Sequence, residues 1–316
     1  MTTLVTGGAG FVGSHIAEKL LQQGERVVVL DNFNDYYDPA LKRANAARLA
    51  RFEGCTIIEG DVRDRDRVPR LFAERDIQRV AHLAAMAGVR FSVDQAFLYA
   101  EVNTMGTLNL LEAARQHGTP HFVFASTSSV YGATSRLPFT EEDTADRPLA
   151  AYPASKRSAE LLGHTYTHLF GMNFTALRLF NVYGPAAPDM MPLRLMHAIT
   201  RGEPITIFNN GNIHRDWTYI DDTVQGILAA LDRPLGYEVI NLGVGHPISL
   251  SDFITTIEQL AGKTAIRHTV PTPLSDPPIT FCNNEKARRL LGFDPQVRVQ
   301  DGLAHTWAWF CQTFTG

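Results

Sequence analysis

The first 32 residues constrain the fold more tightly than any other stretch. Residues 2–6 read as a short buried strand, and Gly7-Gly8-Ala9-Gly10-Phe11-Val12-Gly13 follows at once, opening an amphipathic helix that runs to about Gln23. A second apolar strand, Arg26–Leu30, ends on Asp31-Asn32. A strand, a glycine turn, a helix and a strand, with an acid roughly 20 positions beyond the glycines, make up a dinucleotide-binding unit. The spacing here is GxxGxxG, on Gly7, Gly10 and Gly13. Glycines let backbone approach a pyrophosphate, and the positive end of the helix faces its charge. Asp31 accepts from adenosine ribose hydroxyls and repels a 2′-phosphate, which favours NAD over NADP.

The alternation of strand and helix continues. Thr56–Glu59, Arg79–His82, His121–Ala125 and Phe174–Leu179 read as further strands, with long helices over Ser92–Gln116 and Ala150–Gly171. Such alternation requires parallel pairing with right-handed crossovers, hence an α/β fold with a doubly wound parallel sheet of the Rossmann type. Asp61, with Val62, follows the third strand, where adenine's amine can be bound. Leu83-Ala84-Ala85 follows the fourth, as small residues to lie against a cofactor. Phe11, Val12, Asn32 and Asn103 complete the candidate cofactor set. The polar, tyrosine-bearing stretch 32–51 reads equally as a solvated insertion or a cofactor contact. After Asn181-Val182-Tyr183-Gly184-Pro185 the alternation breaks into Pro-rich segments and shorter helices. We expect residues 1–180 to form the dinucleotide-binding domain, with 216–242 returning to it. Residues 181–215 and 243–316 then form a smaller C-terminal substrate domain.

Chemistry concentrates between 126 and 156. The fifth strand delivers Ser126-Thr127-Ser128-Ser129 at its C-terminal end, where ligands bind in open parallel sheets. The following helix carries Tyr152 and Lys156, four apart and so on one face. A phenol of pKa about 10 is a poor base at neutral pH; a cation beside it is expected to lower that value. Thr127 is placed to hold the oxygen that the phenolate deprotonates. His164 and His168 have metal-ligand spacing but no third ligand, so no metal is expected. A net charge of −4 provides no basic field for nucleic acid or anionic membrane. Cys55, Cys282 and Cys311 are scattered and odd in number, as in a reducing compartment. With no leader and no membrane-length apolar run, a cytoplasmic location is expected.

Taken together, GxxGxxG, Asp31, Asp61, Thr127, the YxxxK pair, Asn181-Val182-Tyr183-Gly184-Pro185 and Arg215-Asp216-Trp217-Thr218-Tyr219-Ile220-Asp221-Asp222 resemble the extended short-chain dehydrogenase/reductases. Within them the chain is most similar to NAD-dependent nucleotide-sugar 4-epimerases. Leu30–Pro39, Ala87-Gly88-Val89-Arg90 and Pro188-Asp189-Met190 look most like UDP-glucuronate 4-epimerases. The resemblance implies a UDP-sugar inverted at C4 through a 4-keto intermediate, with Tyr152 as base, Lys156 supporting it and Thr127 orienting the oxygen. It also implies a homodimer built on the two long helices. Ser128 and Ser129 stand where related dehydratases and decarboxylases carry acids, so elimination and decarboxylation lack their proton-transfer groups. The implied substrate contacts are Arg90, Thr127, Ser128, Ser129, Asn181, Phe208 (uracil), Arg215 (diphosphate) and Asp276 (uridine ribose). One departure bears on the sugar: Ala186-Ala187 replaces a loop that carries an arginine in glucuronate epimerases, and Asn181 resembles the neutral-hexose enzymes. Alternatives are therefore a UDP-glucose/UDP-galactose 4-epimerase, a UDP-sugar dehydratase, or an NAD-binding protein without chemistry.

Overall fold

The computed structural model describes residues 1–134, 136–188, 190–271 and 277–314. Strand β1 (Thr2–Thr6) is buried along its whole length, because β2 (Arg26–Asp31) and β4 (Arg79–His82) pair with it in parallel on either side. β3 (Cys55–Glu59) extends the sheet beyond β2, while β5 (His121–Thr127) and β6 (Asn173–Leu179) extend it beyond β4. The strand Tyr237–Leu242 pairs in parallel with β6 and completes seven strands. Covered on both faces, the central strands read as apolar runs rather than alternating ones. The chain moves outward from β1 to β3 and then crosses back to β4. That reversal opens a crevice at the C-terminal ends of β1 and β4, the usual ligand position in such sheets.

Helices cover both faces. α1 (Phe11–Gln22) packs on the same side as the helix Ile220–Leu231. On the other face lie α3 (Arg67–Arg75), α6 (Gly106–Gln116) and α7 (Ala151–Phe170). α2 (Pro39–Leu49) closes the stretch after β2. Beyond β6 come a short strand Asn181–Tyr183 paired with Trp217–Tyr219, helix α8 (Met191–Arg201), and a strand Pro204–Phe208 paired with Ile266–Val270. His214–Arg215 is the middle strand of a small three-stranded patch.

Two expectations change. β5 runs two residues further, through Ser126 and Thr127, which pair with Arg178 and Leu179. The expected single helix over 92–116 is divided into α4 (Phe91–Asp94), α5 (Ala96–Tyr99), a π-turn Ala100–Met105 and α6. Gln95 breaks it at φ −125°, ψ 35°. The π-turn has its own cause: Asn103 is buried and holds both Met86 N (2.8 Å) and Met86 O (3.0 Å) through its side-chain amide. The wider turn lets that amide reach the loop after β4. No helix among the described residues is long and apolar enough to cross a membrane.

Candidate active site

The glycine turn is built for clearance. Gly7 sits at φ +65°, and a Cβ there would lie 2.7 Å from Ala84 N; one on Gly13 would lie 2.2 Å from Gly7 O. Side chains at these positions would lift α1 off β1. Gly10 caps α1 without a side-chain hydrogen bond, and the first turn, beginning Phe11-Val12, carries no acid. Its N–H groups and the positive helix end are left for an anion. Leu83 N donates to Thr6 O (3.1 Å) and Ala84 N to Thr6 Oγ1 (3.2 Å), fixing the wall opposite, with Ala85 next in line.

Asp31 is buried and held at the turn by Ala9 N (3.1 Å) and Phe33 N (2.9 Å). Each oxygen keeps a lone pair for a ribose hydroxyl. Arg43 lies over the Phe33 ring (3.8 Å) and is paired bidentately with Glu59 (2.8 Å), so its charge is already matched. Asn32 Nδ2 donates to Asp61 Oδ2 (2.9 Å). Burial pushes the Asp61 carboxyl up, but hydrogen bonds from Arg63 and Asn32 outweigh it and hold the group down to about 2. Val62 is buried beside it, its carbonyl accepting from Asn109 Nδ2 (2.8 Å). The stretch after Asp31 is more than a solvated insertion: Phe33 is buried, and the Tyr37 hydroxyl lies 3.6 Å from where a Gly10 Cβ would stand. Lys42 ties it down, donating to Asn34 O (2.9 Å) and resting 4.6 Å from the Tyr37 ring centroid. An uncapped helix end, a glycine cradle and an acid at the ribose position fit NAD.

At the other end of the crevice, α7 brings Tyr152 and Lys156 against the end of β5. The Tyr152 phenol lies beside the Thr127 side chain. Thr127 Oγ1 donates to Ser129 Oγ and accepts from Ser129 N, both 3.2 Å, and Ser128 opens the 3₁₀ turn that follows. Asn103 Nδ2 donates to Ser155 Oγ (3.0 Å), which donates to Tyr152 O (2.8 Å), so the π-turn fixes the first turn of α7.

The electrostatics depart from expectation. Burial pushes the Tyr152 phenol up to about 12, opposed by the Thr127 side chain, with the Tyr36 phenol adding to the rise. Burial also brings the Lys156 ammonium down to about 7, opposed by the Glu160 charge. Lys156 does share a face with Tyr152, but its Nζ is turned to Ala125 O (2.8 Å) and the Phe124 ring (4.6 Å). The protein's own groups therefore do not lower the phenol. His82 is buried under the site between Thr6 Oγ1 (2.7 Å) and Thr107 Oγ1 (2.9 Å). Burial, with Lys156 nearby, keeps it well below its usual range and neutral.

Two site residues had escaped the sequence reading. The Tyr36 hydroxyl donates to Ala87 O (2.7 Å), and the Tyr99 hydroxyl to Gly88 O (3.1 Å). A chain of rings links Tyr36 to Phe91 (5.5 Å), Phe91 to Tyr99 (6.4 Å) and Tyr99 to Tyr152 (6.0 Å). The tyrosines of Asn34-Asp35-Tyr36-Tyr37 were visible, but their partners 50 residues on were not.

On the C-terminal side, the Arg90 guanidinium lies over the Phe208 ring at 4.7 Å, bringing two candidate substrate residues together. Asn181 opens its short strand, its N–H donating to Asp216 O (3.0 Å). Arg215 Nη1 donates to His214 O (2.8 Å) and Pro278 O (3.4 Å). Asp276, like Asp189, lies outside the described residues.

Comparisons with known proteins place the chain in a family. UDP-glucuronate 4-epimerase 4 of Arabidopsis thaliana is 41% identical across 100% of this chain and 76% of its own. UDP-glucuronate 4-epimerase of Thermodesulfobacterium geofontis is 42% identical, covering 97% of this chain and 95% of its own. Among solved structures, UDP-glucuronic acid 4-epimerase from Bacillus cereus, in complex with UDP-glucuronic acid and NAD, superposes with a TM-score of 0.92 at 36% identity, over 99% of this chain and 100% of that one. The family model that matches residues 3–243 covers the whole sheet, its glycine turn and the Tyr152–Lys156 helix, so the chain belongs to the NAD dependent epimerase/dehydratase family.

Proposed function

We propose that the protein is an NAD-dependent UDP-sugar 4-epimerase, with UDP-glucuronate and UDP-galacturonate as its substrate pair. The observation that carries this reading is the Tyr152 phenol set beside Thr127 at the end of β5, in the crevice whose glycine turn and Asp31 fit NAD. When bound, NAD supplies a hydride acceptor and a positively charged ring. Tyr152, as phenolate, takes the C4 hydroxyl proton and returns it after inversion. Thr127 and Ser128 hydrogen-bond the C4 oxygen, first as hydroxyl and then as the ketone of a 4-keto sugar. Lys156 keeps a positive charge behind the phenol. Rotation of the sugar about its diphosphate linkage presents the other face. Residues 1–180 with 216–242 serve the cofactor, and 181–215 with 243–316 serve the nucleotide sugar. There Arg215 takes the diphosphate, Phe208 the uracil and Asp276 its ribose. Ser129 and Asn181 line the sugar, and Arg90, or Arg194 on α8, meets the carboxylate.

A second reading, the UDP-glucose/UDP-galactose pair, is favoured by Asn181 and by the loop Ala186-Ala187. Ala186-Ala187 carries no cation, and Ala187 is buried. Incubation with UDP-glucuronate and with UDP-glucose, without added reductant, separates the two. UDP-galacturonate is the expected product; turnover of the neutral pair alone selects the second reading. NAD binding with no reaction on either sugar refutes both.

The exposed residues Phe97 and Met105 on the α5–α6 segment and Leu161 and Leu169 on α7 support a homodimer through these helices. Light scattering at twice the 35.0 kDa chain mass is the expected result. The three free cysteines support a reducing, cytoplasmic setting.

A further inference from the structure

Glu160 lies one helical turn beyond Lys156 and is wholly buried, with its carboxylate fully engaged. Arg178 on β6 holds it through two bonds, Nε to Oε1 (3.0 Å) and Nη2 to Oε2 (2.9 Å). Arg157 Nη1 donates to Oε2 (2.9 Å), and Ser126 Oγ donates to Oε1 (2.5 Å). Arg178 in turn rests over the Tyr131 ring (4.7 Å), whose hydroxyl donates to Asn241 Oδ1 (2.7 Å) on the last sheet strand. A buried ion pair is a weak source of stability, because desolvation consumes most of its attraction. Its position suggests another use. Ser126 immediately precedes Thr127, and Ala125 O, the acceptor of Lys156, immediately precedes Ser126. The stripe Tyr152, Lys156, Glu160 on α7 thus grips three consecutive residues of β5.

We propose that Glu160, locked by Arg178, is a positioning residue of the epimerisation: it fixes Thr127 through Ser126, and its negative charge supports the ammonium of Lys156. The proposal rests on the reading of Tyr152, Lys156 and Thr127 given above. The other groups around Lys156, Glu160 and their partners do not take over this role. His82 on β4 is neutral. Tyr152 on α7, Tyr131 after β5 and Tyr237 on the last strand are phenols raised by burial. α6 and the π-turn present uncharged Thr107 and Asn103, and Arg157 and Arg178 are cations bound to Glu160 itself. Glu160 is therefore the anion that opposes desolvation of Lys156.

The test is the pH profile of kcat in the full-length Glu160→Gln variant. Gln keeps an acceptor for Ser126 but removes the charge, so Lys156 loses its proton at lower pH. The basic limb of the profile is expected to move down by about one pH unit. kcat at pH 8 should fall about tenfold or more, with KM for the UDP-sugar changed less than about twofold. Ser126→Ala, which leaves the ion pair intact, should lower kcat severalfold without moving the limb. A Glu160→Gln profile that superposes on wild type after scaling, or a loss confined to KM, overturns the proposal. Should the single variant fail to fold, Ser126→Ala alone carries the test, and an unchanged kcat in that variant overturns the proposal. Wild-type protein inactive on every UDP-sugar would instead refute the functional reading beneath it.

Discussion

In the proposed reaction Tyr152 is the residue on which the chemistry turns, and its surroundings bear on how it would work. Its phenol is pushed up to about 12 by burial, while Lys156 points its ammonium at Ala125 O. A phenol so raised is a poor base at neutral pH, and a positive charge brought into the crevice would favour its ionisation. Tyr152→Phe keeps the ring packing against Tyr99 and removes only the hydroxyl. Stopped-assay measurements should show kcat lowered by about 10²–10⁴, with NAD binding unchanged; near-normal turnover contradicts the assignment. At this scale the sequence exposed what is local. Tyr152 and Lys156 share a helical face, and Asp31 ends an apolar strand. Glu160 follows at the same four-residue interval, but its meaning lies in Arg178 and Ser126, on two other elements. Tyr36 and Tyr99 meet the loop at Ala87–Gly88 only after the chain has folded.

At the scale of elements, the glycine turn and the divided helix place the two ends of the site. Gly13 is pressed against the carbonyl of Gly7, a backbone atom that cannot rotate away. Gly13→Ala should therefore displace α1, destabilising the fold by about 1–3 kcal/mol through overpacking. Calorimetric titration should find NAD affinity reduced tenfold or more; unchanged affinity would mean that the turn does not hold the pyrophosphate. The strands of the sheet were legible because buried parallel strands are short apolar runs bounded by turns, and α7 because its apolar face repeats every three to four residues. The π-turn at Ala100–Met105 was not. One inserted residue leaves the apolar pattern on either side intact, and the demand for it comes from Met86 and Ser155, across the fold.

For the whole molecule, strand order decides where the parts meet. Alternation of strands and helices implied a doubly wound sheet, and the reversal between β1 and β4 sets the crevice at the glycine turn. The C-terminal side was less readable. Its short strands pair across long sequence gaps, as Pro204–Phe208 does with Ile266–Val270, and no local pattern announces such partners. Arg90 over Phe208 is one contact that joins the two sides. In the proposed mechanism the sugar turns over while its nucleotide stays held, so the same hydrogen leaves C4 and rejoins it. A UDP-sugar deuterated at C4, turned over in ordinary water, tests this most directly. We expect the deuterium to be retained at C4 of the epimer with no net NADH formed; its exchange with solvent during turnover would contradict the mechanism.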